Sequence, residues 1–346
     1  MPKRTDSMAK RRPFLRRLCA PLVAATGSVL LAFLPRFAQS QITPDVASQL
    51  RSLSGNRVEA FTILGGDYGL AGGSFRSTGR IEGAGVISDA TLTISKFGGY
   101  GEVGDPQPLG DLGVGWQPRV QGNMGGVEAS NRLHTTALEG DINTYKTYGV
   151  EFGGGTRLWL NDAFSLAPTL MGLYGHTSDS YTANSAFMRA NLGLATQLGL
   201  VNYTVETWTV RPALNAQYLV KWDRTILTLS SDSTYFYTES FSSSNSNVSI
   251  SGHSGTQAAK ADIDIPLGVR LFDRELRTGG FISYTALFGG LETGLGTSHF
   301  NEVHGRVVLD FLNQLWKFQW IGLGASYVWG PNFTGWTAGA DVTFVF

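Results

Sequence analysis

The chain holds one cysteine in 346 residues, Cys19, which excludes a disulfide framework and a thiolate metal cage. Charge is scarce as well. Asp, Glu, Lys and Arg make up 16% of the residues, where a soluble domain carries about 25%, so a disordered polyelectrolyte is excluded. The two signs cancel, 27 against 27; the sequence lacks the basic excess of a nucleic-acid binder, and no nucleic-acid partner is expected. Beyond residue 40 no stretch reaches the roughly 20 apolar residues of a spanning helix. Phosphate-binding loops and metal-ligand clusters are missing too, and no cofactor is expected. Glycine, in contrast, is abundant at 44 residues, and aromatics reach 12%. A chain rich in both and poor in charge is β or low-complexity, and periodicity decides between them.

The first forty residues read as an export label. A basic stretch holds Lys3, Arg4, Lys10, Arg11, Arg12, Arg16 and Arg17. An apolar stretch follows at 18–34, and Ala38-Gln39-Ser40 places small residues at −3 and −1 of a cut before Gln41. This is the layout of a cleaved secretory signal peptide. The competing reading is a membrane anchor, for which an apolar run broken by Pro21 and Gly27 is short. Arg11-Arg12-Pro13-Phe14-Leu15-Arg16 looks like a twin-arginine motif, but that route carries folded cargo and the remainder reads as a chain that crosses unfolded. Cys19 is no lipoprotein cysteine, because Arg16 and Arg17 stand where leucine and a small residue are required. Taking the label's eight Lys/Arg and one Asp from the 27 of each sign leaves 19 basic and 26 acidic residues, a net charge of about −7.

After the label, side chains alternate with period two. Over 208–222 the even positions are Trp208, Val210, Pro212, Leu214, Ala216, Tyr218, Val220 and Trp222, against Thr209, Arg211, Asn215, Gln217 and Lys221. Over 260–271 Ala261, Ile263, Ile265, Leu267, Val269 and Leu271 oppose Lys260, Asp262, Asp264 and Arg270. Over 302–311 Val303, Val307, Leu309 and Phe311 oppose Glu302, His304, Arg306 and Asp310, and 116–128 and 148–160 behave alike. A soluble sandwich also alternates, but its strands average 5 to 6 residues and these runs reach 12 to 15. Aromatics cap the apolar faces at both ends, as interface girdles do. The pattern predicts an all-β fold, a transmembrane antiparallel up-and-down β-barrel.

Short turns at 161–163, 222–224, 273–276 and 313–315 alternate with longer Ser/Asn/Gly-rich links at 129–144, 178–199, 242–255 and 291–298. That is the asymmetry of periplasmic turns against extracellular loops. Adding strands near 58–76 and 80–97 gives twelve, with ten or fourteen as alternatives; 186–205 is ambiguous and could be part helix. The expected organisation is a signal peptide at 1–40, a short leader at 41–56 and a barrel at 57–346. Within the leader, Thr43 suits a helix N-cap and Pro44 the first helical position.

The last residues alternate too. Trp336, Ala338, Ala340, Val342, Phe344 and Phe346 form an apolar stripe opposite Thr337, Gly339, Asp341 and Thr343. This ending resembles the C-terminal signal of outer-membrane barrels of Gram-negative bacteria, matched by Thr337, Gly339, Val342, Phe344 and Phe346. The resemblance implies contact with outer-membrane lipid and recognition of the last strand by the barrel-assembly machinery. Twelve strands over nearly the whole exported chain also resemble the translocator barrel of autotransporters in its solitary form. About fifteen residues between Gln41 and the first expected strand are too few for a secreted passenger. In that family a helix threads the pore at this point, so the leader is expected to be either a pore helix or a periplasmic stub.

Candidate lumen residues from the clear strands are Arg119, Glu151, Arg157, Arg211, Lys221, Lys260, Asp262, Asp264, Arg270, Glu302, His304, Arg306 and Asp310, with Asp341 on the last strand. Basic and acidic members nearly balance, so the lumen is expected to cross-link itself and to be narrow or plugged, with weak ion preference. A general porin and an outer-membrane hydrolase or protease are the alternatives. For the hydrolase, His253-Ser254 is the adjacent His/Ser pair, but no nucleophile, base and orienting carboxylate fall at recognisable spacing. No catalytic, cofactor-binding or metal residue is assigned, and no enzymatic activity is expected; the surface partner stays unassigned.

Overall fold

The computed structural model describes residues 42–44, 46–47, 50, 59–64, 69–81, 86–110, 113–315 and 318–344. The export label and Phe346 lie outside the described residues.

The strands in chain order are β1 (Leu70–Ile81), β2 (Val86–Glu102), β3 (Gln107–Pro108), β4 (Gly115–Leu133), β5 (Ile142–Trp159), β6 (Phe164–Thr182), β7 (Thr204–Trp222), β8 (Thr225–Ser243), β9 (Ser251–Leu271), β10 (Arg274–Gly289), β11 (His299–Leu315), β12 (Phe318–Gly330) and β13 (Phe333–Phe344). Each long strand pairs antiparallel with its neighbours, and β1 pairs with both β2 and β13. β2 pairs with β4, while the two residues of β3 only extend the edge of β4 at Gly115 and Trp116. The result is a closed twelve-stranded antiparallel barrel. Among the described residues each of the twelve long strands is paired on both sides, as a bilayer requires because it offers the backbone no water.

The alternation sorts side chains as expected. On β7 Trp208, Val210, Leu214, Tyr218 and Trp222 are exposed on the outer face, while Thr207, Thr209 and Arg211 are buried inside. On β9 Ile263, Ile265 and Leu267 point out and Asp264 points in. Several strands are longer than read from sequence: β4 continues to Leu133, β6 to Thr182, and β9 starts at Ser251. Polar residues at these ends looked like loop, yet their strands project past the apolar band toward the long links, where a polar outer face is solvated.

Two expectations at the N-terminal side are corrected. The stretch 58–76 is not one strand. Ala60–Ile63 forms a helical turn, α1, and β1 begins only at Leu70. The reason is enclosure: α1 lies against β2 and β4 inside the barrel, where every strand is already paired, so its backbone must bond to itself. Leu64 N–H donates to Ala60 O at 2.9 Å and Thr62 N–H to Glu59 O at 3.0 Å. The second strand runs Val86–Glu102 rather than 80–97.

The long-link end is a packed cap. Within the ambiguous 186–205 stretch, Ala186–Gln197 forms helix α2, with Ser185 as N-cap accepting from Met188 N–H at 3.1 Å. Asp141, fully buried, accepts from the N–H groups of Asn184 and Ser185, and from the hydroxyls of Ser185 and Tyr181. Asn245 of the β8–β9 link donates to Thr196 O at 2.8 Å. A second short helix, α3 (Gly290–Leu295), is tied to β1 by Ser77 Oγ donating to Leu295 O at 3.0 Å.

The closing ladder runs from Leu70↔Ala340 to Ser77↔Phe333. Gly335 sits in it, and a Cβ there would lie 2.3 Å from the Phe75 ring and 2.6 Å from Ser74 O. Phe75 cannot yield easily, because it is fully buried and stacks on Phe333 at 5.3 Å. Gly335→Ala is expected to lower stability by about 1–3 kcal/mol, read as a lower urea midpoint for the folded, heat-modifiable band on gels.

Candidate functional site

The leader begins as the sequence suggests. Thr43 Oγ1 accepts from Val46 N–H at 3.4 Å, and Thr43 O from Ala47 N–H at 3.0 Å, with Pro44 in the first helical position. Val46 and Leu50, one turn apart, are buried in the apolar cluster that also holds the cap residues Leu138, Met188 and Leu200. Further along, Ala60, Phe61 and Leu64 belong to the same cluster. The chain then enters β1 at Leu70, opposite Ala340 near the end of β13. Among the described leader residues, Val46 and Leu50 are buried in this cluster.

Two contacts seat the segment 59–64, through which the chain continues from the leader toward β1. Phe61 lies over a recess made by two glycines: a Cβ at Gly149 would come within 2.7 Å of its ring, and one at Gly125 within 3.0 Å. Glu59 is fully buried, and its two carboxylate oxygens accept from Thr238 Oγ1 of β8 and Ser254 Oγ of β9. Thr238 in turn shares a hydrogen bond of 2.6 Å with Thr209 of β7. A carboxylate in the interior is held only when its oxygens are bonded, so this bonding ties Glu59 to β8 and β9 directly and to β7 through Thr238.

Several of the predicted lumen residues form ion pairs. Arg211 Nε lies 2.5 Å from Glu151 Oε1, and Glu151 Oε2 accepts from Asn123 at 2.7 Å. Arg157 Nε donates to Glu102 at 2.5 Å, and its Nη1 donates to Ser165 at 3.0 Å and to Gln217. Arg119 stands 3.9 Å from Glu102, with its guanidinium 3.8 Å from the Tyr100 ring centre. Arg306 grips Asp262 through two bonds of 2.7 and 2.9 Å, and Asp264 pairs with Arg277 at 2.7 Å. His304 stacks on Phe281 at 4.6 Å and its Nδ1 lies 3.0 Å from Ser326 Oγ; Lys260 Nζ sits 5.0 Å from the centre of the same Phe281 ring. Glu302 is buried and Asp310 half-buried on the same face of β11. Lys221 and Arg270 keep the inward parity but lie exposed at the short-turn end, outside this network.

Sequence reasoning missed Glu59, Glu102, Asp232 and Arg277. Asp232 accepts from Asn215 at 2.6 Å. Glu102 closes β2 five residues beyond the expected strand end, and Glu59 fell in a supposed strand. The adjacent His253 and Ser254 do not meet. His253 is exposed on the outer face, bonded to Tyr235 OH, while Ser254 is buried inside on Glu59. The parity of Lys260, Asp262 and Asp264, extended upstream, already puts Ser254 in and His253 out. On the last strand Thr337 is fully buried and Trp336 exposed; β13 extends through Val342 and Phe344.

The transport unit of the autotransporter AIDA-I from Escherichia coli superposes with a TM-score of 0.53 at 12% identity, over 88% of this chain and 100% of that one; the likeness is one of fold. The beta domain of the Bordetella autotransporter BrkA gives 0.49 at 12% identity, over 80% and 99% of the two chains. The translocator domain of the autotransporter NalP from Neisseria meningitidis gives 0.44 at 11%, over 89% and 100%. No curated relative matches the chain. The family model for the solitary outer membrane autotransporter beta-barrel domain matches residues 108–344, more than half of the sequence. The chain is an integral β-barrel of the bacterial outer membrane and belongs to the solitary outer membrane autotransporter β-barrel family.

Proposed function

We propose that the protein is a barrel held shut by its own leader, whose lumen serves to grip that segment rather than to pass solutes. The carrying observation is Glu59, fully buried with both carboxylate oxygens accepting from hydroxyls of β8 and β9. The ion pairs support it, because charges that neutralise one another across the lumen leave little excess of either sign to select an ion. The charged side chains Arg157, Arg211, Asp262, Asp264, Arg277 and Arg306 are engaged with partners in the lumen, and we assign them no catalytic step. The alternating last strand, with Thr337 and Gly339 facing in and Trp336, Ala338 and Ala340 facing out, supports recognition by the barrel-assembly machinery through strand pairing. The test is the intact chain, refolded and placed in planar bilayers. Current near baseline is expected, and a large, steady, strongly ion-selective conductance would overturn the reading.

A further inference from the structure

A cleft of about 790 Å³ opens on the outer, lipid-facing side across β7 to β10. Leu214, Tyr235 and Phe288 stand up as its walls, all exposed, and Gly255 lies between them without a side chain. At its margin is a small polar cluster. Ser233 Oγ donates to Gln257 Oε1 at 2.5 Å, and Gln257 Nε2 donates to Ser231 Oγ at 2.9 Å. All three side chains are exposed on the outer face. Their mutual bonds leave capacity over: the carboxamide has a second N–H, and the Ser231 hydroxyl, an acceptor here, still has a hydrogen to give. Donors facing hydrocarbon are costly unless something accepts from them.

The level of the cluster indicates what accepts. Toward the periplasm the outer face is apolar, Leu229 and Leu227 on β8 and Ala259, Ala261, Ile263 and Ile265 on β9. Toward the loops come rings: Tyr235, and Tyr237 against His253 with centroids 5.2 Å apart. A polar cluster between an apolar belt and an aromatic girdle lies where outer-leaflet lipids carry the carbonyls joining acyl chains to head groups. The shape favours one chain-like occupant. Two convex barrels meet along a line and leave such a recess empty, whereas a single acyl chain fills it.

We propose that this cleft binds one acylated lipid of the outer leaflet. Its chain lies over Gly255 between Leu214 and Phe288, and its ester or amide carbonyl accepts from Gln257 and Ser231. The full chain, refolded and purified with either diester or diether phosphatidylethanolamine, is then read by native mass spectrometry. The ether lipid keeps the chains and head group but lacks the carbonyls. One retained diester lipid per barrel is expected, held roughly fivefold better than the ether lipid and roughly fivefold better than by Gln257→Leu/Ser231→Ala, as for the loss of one hydrogen bond. Ser233→Phe, which fills the cleft, is expected to abolish retention and provides an independent arm if the double variant does not fold. Equal retention of the two lipids, or retention unchanged in the variants, overturns the proposal. So does a dimer of the unaltered chain that the variants lose, which assigns the surface to a second copy.

Discussion

Removal of residues 42–64 raises the conductance of the refolded barrel by roughly tenfold or more over the intact chain in planar bilayers. The deleted segment carries Val46, Leu50, Ala60, Phe61 and Leu64, all buried in the lumen's apolar cluster, so its loss leaves a water-filled path lined by the ion-paired strands. Point changes should grade the effect. Glu59→Ala takes the leader's acceptor from Thr238 and Ser254 but leaves Phe61 in its glycine recess, so brief openings are expected rather than a permanent pore. Glu59→Gln keeps the size and one acceptor oxygen, and its openings should be rarer. Folding is checked by the heat-modifiable band. Conductance indifferent to the deletion would show that the barrier lies in the cap and not in the leader.

Arg211→Met is expected to cost about 3–5 kcal/mol, seen as a lower urea midpoint for tryptophan fluorescence. Its partner Glu151 has a side chain 0% exposed and Arg211 itself 10%. Without the guanidinium the carboxylate keeps only the bond from Asn123 and stands unpaired away from water. Replacing both, Arg211→Met with Glu151→Leu, should recover most of the loss, because no buried charge is then left over. The exposed pair Lys146–Glu128, at 46% and 49%, gives the contrast: Lys146→Met should cost no more than about 1 kcal/mol. A small effect at Arg211, similar to that at Lys146, would mean that water reaches Glu151 through the lumen.

The barrel was legible because each strand repeats one physical demand, an apolar face toward lipid and a polar face inward. Runs such as 208–222 and 260–271 state it without help from distant residues. The segment 59–64 was not legible for the opposite reason. Ala60-Phe61-Thr62-Ile63 has the apolar and β-branched content of a strand, and only its enclosure among paired strands makes it helical. Glu59 carries no local sign of its role, since the hydroxyls that hold it come from β8 and β9. Arg277 was missed because Glu275, Arg277, Gly279 and Phe281 mix charged, small and aromatic residues on one face, which blurs the period. The opposite directions of His253 and Ser254 could have been read from parity alone.

The seating of Glu59 also bears on the order in which the molecule forms. Its partners Thr238 and Ser254 lie 179 and 195 residues further along the chain, so the leader is unanchored until most of the strands exist. Contacts of such long separation form late, because the loop must close before they are rewarded. The β1–β13 ladder joins the two ends of the sheet and completes the enclosure. The leader must therefore be in place when that ladder forms, since a ring such as Phe61 has no ready way into a finished lumen. If the segment is enclosed in this order, refolding of the intact chain is expected to be slower in its last phase than closure of the sheet alone.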